Sequence, residues 1–168
     1  MDLYKLMENR RSTRNFSNKK VPYEKLELVI NAGQLSPSGA DQKPFVNIIV
    51  DDPSIKRKIK LNCENIDKEF YKKSPEKFKK WMQEKKISLK KDFLTDAPFL
   101  IIVAGEIDKP YWLESTWISI TYIILAAEYE GLSTLTYTPA NFDFIKDLFK
   151  LPKNLEPVSI IPIGYSKI

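Results

Sequence analysis

The order of elements in this sequence predicts a single α+β layered domain, with helices packed on a sheet rather than alternating regularly with its strands. Three observations lead there. The first two predicted elements are both helices, which a doubly wound fold does not favour. The connections range from short loops to a long helical insert over residues 62–92, read as a lid or partner-facing arm or else as a peripheral helix pair. No internal repeat or linker divides the 168 residues, a length that suits one core.

Each element has its own signal. Asp2 suits an N-cap before Leu3, Leu6 and Met7 at helical spacing, in a helix expected to end near Arg11–Ser12. Pro22 opens a second helix with Leu26, Val29, Ile30 and Gly33 on one face. Ser36-Pro37-Ser38-Gly39 breaks it, and Phe45–Val50 is apolar and β-branched like a strand. Asp51-Asp52-Pro53 starts a third helix, expected to run to about Asn62. Lys68–Lys91 is polar and helical, with Phe70, Phe78, Trp81, Met82 and Ile87 spaced for one face. Phe99–Ala104 is a buried strand. Glu114–Glu130 is a central helix stopped by Gly131. Leu132–Thr138 is a strand, Asn141 caps a short helix through Phe149, and Val158–Ile163 is the last strand.

Composition narrows the function. Apolar residues make up 43% and charged residues 29%, as in an ordinary soluble globule. The net charge of +5 favours an anionic partner: nucleic acid, a membrane surface or a phosphorylated cofactor. The lysines cluster between Lys56 and Lys91, interleaved with Glu64, Asp67, Glu69, Glu76 and Glu84, which reads as a solvated helical face. Without a helix-turn-helix, zinc ligands or an RNP motif, no nucleic-acid partner is expected. Neither a secretory signal at Met1–Met7 nor a membrane span is expected, and Ser115–Ala127 reads as a buried core helix. One cysteine, Cys63, and no histidine suit a reducing cytoplasm and remove His-based triads and most catalytic zinc sites. Any enzyme here borrows its chemistry from a cofactor or works with carboxylates, lysines or tyrosines.

Three segments carry candidate chemistry. Arg10-Arg11-Ser12-Thr13-Arg14 ends the first helix. Arginine forks suit phosphate, but basic groups at a helix end also offset its macrodipole. Ser36–Phe45 joins the second helix to the first strand, with Pro37 and Pro44 stiffening the path and Gly39 permitting close backbone approach; an ordinary connection is the plainer reading. Gly131–Pro139 takes a helix end into a strand and a proline turn; its backbone either meets the edge of a flat ring or is plain core.

Taken together, in order and spacing, the segments resemble the nitroreductase family of flavoenzymes. The family's R-x-S-x-[RK] segment corresponds to Arg10, Arg11, Ser12, Thr13 and Arg14, followed by Asn15-Phe16. Its PS-x-x-N-x-QPW loop corresponds to Pro37, Ser38, Gly39, Ala40, Asp41, Gln42, Lys43, Pro44 and Phe45. Further matches are Asp96-Ala97-Pro98-Phe99-Leu100-Ile101, Leu125-Ala126-Ala127 through Gly131-Leu132-Ser133-Thr134, and Ile161-Pro162-Ile163-Gly164-Tyr165. The resemblance covers nearly the whole chain. It implies a central, mostly antiparallel sheet flanked by helices, in a homodimer with FMN at the interface.

The same resemblance implies NAD(P)H as donor and a ping-pong transfer to a small acceptor, a nitro compound, quinone or similar aromatic. Relatives that fragment flavin, remove halogen from aromatic rings or oxidise peptide-derived heterocycles keep the fold and change the reaction. A flavin-binding module with little turnover is a further alternative. The flavin carries the chemistry, so no protein residue is expected to be catalytic. The resemblance places Arg10 and Ser12 on the FMN phosphate, Arg14 near the flavin's N1–C2 edge, Pro37, Ser38, Gly39 and Asp41 beside the ring or ribityl chain, and Leu135, Thr136 and Tyr137 facing the isoalloxazine. Arg11 completes the basic cluster. Asp41, Lys43 and Phe45 depart from the pattern, and either Lys43 or Arg11 is expected to neutralise Asp41. The family's basic tail past the IGYP motif is not matched, and Lys167 is the candidate substitute. Trp117, Ile120 and Ile124 are expected at the dimer interface.

Overall fold

The structure is a computed structural model that describes residues 2–167. Its sheet has four strands, β1 (Phe45–Val50), β2 (Phe99–Glu106), β3 (Ser133–Thr134) and β4 (Leu155–Gly164). They lie in the order β1-β2-β4-β3, and every pairing is antiparallel. The helices are α1 (Leu3–Asn9), α2 (Tyr23–Gln34), α3 (Pro53–Lys73), α4 (Glu76–Glu84), α5 (Phe93–Asp96), α6 (Trp112–Tyr129) and α7 (Asp143–Phe149). Helices cover both faces of the sheet, giving the expected layered α+β arrangement. Among the described residues, no helix is long and apolar enough to cross a membrane.

The central strands are apolar at successive positions because both faces of the sheet are covered. Leu100 and Ile102 of β2, with Ile160 of β4, pack on Ile59 and Cys63 of α3, Leu94 of α5 and Ile145 of α7. Phe99, Ile101 and Val103, with Ile161 and Ile163, pack on Leu26 and Val29 of α2 and Ile120 and Ile123 of α6. Helices α2 and α6 approach closely at Gly33. A Cβ there would lie 2.8 Å from Ile123 Cγ1, and Ser119 Oγ donates to the Gly33 carbonyl at 3.0 Å.

Several boundaries differ from the sequence expectation. Helix α1 ends at Asn9, because Arg10 turns extended (φ −54°, ψ 127°) and Ser12 pairs with Thr134 in a parallel bridge. Asp2 caps α1 only through its carbonyl, which accepts from Leu6 N–H. Helix α3 runs past Asn62 to Lys73, so the insert begins as its continuation; Asp52 caps it from Oδ1, and Pro53 takes the first turn. The strand expected over 132–138 is only β3, followed by a separate bridge between Tyr137 and Ile160. Leu135 and Thr136 step off the ladder between those two pairings. Asn141 Oδ1 accepts from Asp143 N–H at 3.3 Å from one residue before the N-cap, which is Phe142. Ile120 is not an interface residue candidate: it faces the sheet and is buried, while Trp117 on the same helix is exposed.

Candidate functional site

A cavity of about 490 Å3 opens beside β3 and β4, within the range of small-ligand sites. Its floor is Leu135, Thr136 and Tyr137, one side is Arg14 and Asn15, and its roof is the segment from Lys85 to Phe93. The floor is irregular backbone between two bridges. Thr136 has no backbone hydrogen-bond partner among the described residues, so its N–H and carbonyl are available to the edge of a planar ligand.

The arginine segment reaches this cavity because the chain leaves α1 alongside β3, with Thr13 N–H donating to the Thr134 carbonyl at 2.9 Å. Only Arg14 of the cluster lines the cavity. Arg10 is half-buried and Ser12 is exposed next to Thr134. Arg11 departs from its expected role: its Nη1 donates to the carbonyls of Glu8 and Arg10 at the end of α1, the helix-end role of a cation. The C-terminal segment lies along the same stretch, with Lys167 N–H donating to the Asn15 carbonyl at 2.9 Å. Lys167 is therefore a near neighbour of Arg14 along the chain pairing, and its side chain is exposed.

Pro37, Ser38, Gly39 and Asp41 do not line this cavity. Their loop packs at the start of α6, where Gly39 N–H donates to Ser115 Oγ at 3.3 Å and a Cβ on Gly39 would lie 2.8 Å from Tyr111. The loop is strained. Ala40, Asp41 and Lys43 all have φ near +50° without being glycine, a conformation that costs of order 1 kcal/mol each and persists only when neighbours enforce it. Ser38 Oγ accepts from Lys43 N–H at 2.9 Å. Lys43 Nζ donates to the Ser36 carbonyl at 2.6 Å and pairs with Asp41 at 3.1 Å. Of the two cations expected to neutralise Asp41, Lys43 does so.

Tyr137 belongs to a network that ties the roof to the floor. Its hydroxyl donates to Asp67 Oδ2 at 2.8 Å, and its ring meets Phe93 edge-on at 5.4 Å. Asp67 pairs with Lys91 at 3.2 Å, with side-chain exposures of 16% and 8%. Lys91 Nζ also donates to the Ser88 carbonyl and lies 5.4 Å from the Tyr137 ring centroid. Burial, then the Cys63 and Asp67 neighbours, push the Tyr137 phenol well above its ordinary pKa. Burial likewise pushes the Cys63 thiol up to about 12, so it stays protonated and unreactive. Behind this network a second cavity of about 290 Å3 is walled by Phe70, Tyr71, Phe78, Trp81 and Met82, and it shares Ile87 and Lys91 with the first.

Asp67 and Lys91 were not separable in the sequence from the other alternating charges between Lys56 and Lys91. What distinguishes them is their shared contact with Tyr137, the Asp67 carboxylate at its hydroxyl and the Lys91 ammonium over its ring.

A three-layer fold with this cavity at the edge of an antiparallel sheet defines a class, and the chain belongs to the nitroreductase family, whose model matches residues 7–165. Within that family it is similar to iodotyrosine deiodinases. The protein of Thermotoga neapolitana is 36% identical over 97% of this chain and 88% of its own length. That of Haliscomenobacter hydrossis is 31% identical over 98% of this chain and 79% of its own. A crystal structure of oxidised iodotyrosine deiodinase bound to FMN and 3-iodo-L-tyrosine superposes with a TM-score of 0.95 at 35% identity, covering 99% of this chain and 90% of that one.

Proposed function

We propose that this protein is an FMN-dependent oxidoreductase that reductively removes halogen from a halogenated phenol, taking electrons from NAD(P)H. The observation that carries the reading is the likeness in fold and identity to a deiodinase bound to FMN and an iodinated tyrosine, joined to a cavity of suitable size whose floor offers free backbone groups and whose side carries Arg14. The likeness moves the expected acceptor away from nitro compounds and quinones, towards a halogenated ring. Aromatic walls next to the cavity suit such a ring.

Bound FMN would supply the redox chemistry. In balance, the aryl halide and NAD(P)H give the arene, halide and NAD(P)+, with the carbon–halogen bond replaced by carbon–hydrogen. Arg14 would hold an anionic part of the cofactor, with Arg10, Ser12 and Lys167 alongside, and the 135–137 backbone would hold the ring edge. The roof from Lys85 to Phe93 would exclude water.

The Pro37–Asp41 loop lies outside the cavity of its own chain, so its proposed cofactor role needs a second copy. The exposed apolar residues Leu3, Met7, Leu28, Leu113, Trp117 and Ile118 on α1, α2 and α6 supply a face for a homodimer.

The test is spectroscopic. Purified protein should be yellow, bleach with NAD(P)H under anaerobic conditions, and release one halide per two electrons from 3-iodo-L-tyrosine. Protein that neither retains nor takes up FMN would refute the reading. Flavoprotein that bleaches and reoxidises with a nitroaromatic but never releases halide would restore the nitroreductase reading.

A further inference from the structure

The net positive charge of the chain resides in one segment. Residues 67–92 hold ten lysines against Asp67, Glu69, Glu76, Glu84 and Asp92, a net +5 that equals the charge of the whole chain. The sequence pattern reads as a solvated helical face, but the structure sets exposed aromatic rings inside it. Phe70, near the end of α3, is 52% exposed, and Trp81 of α4 is 46% exposed. Phe78 bridges them, edge-on to Phe70 at 5.8 Å and tilted against Trp81 at 5.6 Å. Lys73 follows Phe70 by about one helical turn, and Lys77 and Lys85 flank Trp81 by about one turn on either side. Among the described residues, no ion pair engages Lys73, Lys77, Lys80, Lys85 or Lys86.

This patch is preformed. At the turn between α3 and α4, Ser74 Oγ donates to the Phe70 carbonyl at 2.8 Å, and buried Met82 anchors α4 from beneath. The face offered above for a homodimer is built from other helices, α1, α2 and α6, so a dimer does not account for these exposed rings. The composition selects among anionic occupants. Specific protein interfaces enrich arginine and deplete lysine, and residues 67–92 contain no arginine. The three rings pack on one another, so they do not offer separate platforms for successive nucleic-acid bases. Lysines around an exposed tryptophan suit a fluid anionic surface, because each stem lies along the apolar patch while its head reaches a lipid phosphate.

We propose that the end of α3 and helix α4 form a peripheral docking surface for an anionic lipid bilayer, with Phe70 and Trp81 at the headgroup level and the surrounding lysines on lipid phosphates. The inference does not depend on the cofactor or on the reaction. It needs no membrane span: an amphipathic helix lies in the plane of the interface, held by its apolar area and by attraction to anionic lipid. Two signals act together, so binding requires both the charge and the rings, and salt weakens it by screening the first.

The test is sedimentation of the purified protein with vesicles of phosphatidylcholine alone or with about one-third phosphatidylglycerol. The protein should pellet with the anionic vesicles at low salt, stay in solution with the neutral ones, and be released as the Debye length falls to about 3 Å near 1 M salt. Tryptophan emission should shift to the blue on binding. Trp81→Phe should abolish that shift and still pellet, whereas Trp81→Ser should lower the partition coefficient about tenfold. The triple variant Lys77→Gln, Lys80→Gln, Lys85→Gln should lower it about a hundredfold; glutamine at exposed helical positions leaves the fold intact. A control triple with the same change in charge, Lys20→Gln, Lys150→Gln, Lys153→Gln, at exposed lysines outside the patch, should pellet like the parent. Absence of anionic-vesicle binding at low salt, equal binding to neutral vesicles, or an equal loss in the control triple would overturn the proposal. So would a blue shift that survives Trp81→Phe, since another face would then meet the lipid. Retention on single-stranded DNA without vesicle binding would overturn it in favour of a nucleic-acid surface.

Discussion

Asp67→Asn tests whether the roof is held to the floor by charge. Asp67 accepts from the Tyr137 hydroxyl at 2.8 Å and from Ala140 N–H at 3.4 Å, and it pairs with Lys91 at 3.2 Å. An asparagine oxygen in the Oδ2 position keeps the Tyr137 bond, while the amide NH2 then faces Ala140 N–H and gives up that long 3.4 Å contact. The larger loss is the ionic part, at a lysine whose side chain is only 8% exposed. Removing one partner of a buried pair costs about 3–5 kcal/mol. The Ser88 carbonyl at 3.0 Å and the face of Tyr137 still receive the ammonium, which places the expected cost at the lower end, about 3 kcal/mol. For a chain of this size that lowers the melting temperature by about 6–12 °C. Urea unfolding gives the free energy, and hydrogen exchange over residues 85–92 should show the roof opening well below the global transition. Adding Lys91→Met should recover most of the loss, because the stranded charge is then gone. An Asp67→Asn protein within 0.5 kcal/mol of the parent, or a double variant no better than the single, would show that the pair does not anchor the roof.

Gly33→Ala should lower the melting temperature by about 3 °C, since overpacking against Ile123 costs about 1–3 kcal/mol and the helical preference for alanine returns about 1; an unchanged thermal transition would mean that α2 and α6 yield freely. Cys63 should resist thiol reagents in the native state at pH 8 and react fully in denaturant. Because its folded pKa, about 12, lies above the unfolded value near 8.5, its stabilising contribution is complete below about pH 8.5 and is lost as pH rises towards 12; Cys63→Ala should flatten that alkaline slope in urea titrations. Arg14→Gln should weaken FMN binding about tenfold by fluorescence titration, whereas Arg11→Gln, whose parent side chain caps α1, should leave it unchanged.

The fold was largely legible because its elements are bounded by residues with unambiguous backbone preferences. Pro22 precedes α2, Asp52-Pro53 starts α3, and Gly131 at φ +73° ends α6. Where the sequence carried no such stop, the boundary was misplaced. Nothing at Asn62 ends a helix, and α3 continues for three more turns. The reverse error occurred at 132–138. That run is β-branched enough for a strand, but whether each residue pairs depends on where β4 and the 10–14 segment lie, which no local pattern encodes.

The candidate cavity was legible in part for a different reason. Arg14 and the 135–137 backbone meet because a parallel bridge at Ser12 and Thr134 draws distant segments together, and only the order of motifs along the chain signalled it. Charge signs were readable, but their neutralisation was not. Asp41 and Lys43 face each other where three residues adopt left-handed backbone in a span of four; of the three only aspartate has a tendency to that region, and alanine and lysine carry no signal for it. The contacts that enforce this strain come from Ser36, Ser38 and Ser115, none of which lines the cavity. A loop held in a costly shape by its own chain, and lining nothing in that chain's cavity, is the part of the proposed cofactor site that calls for a second copy. On the dimer proposed above, the apolar faces of α1, α2 and α6 would give the loop and the cavity a common logic, each supplying half of a site that two copies complete.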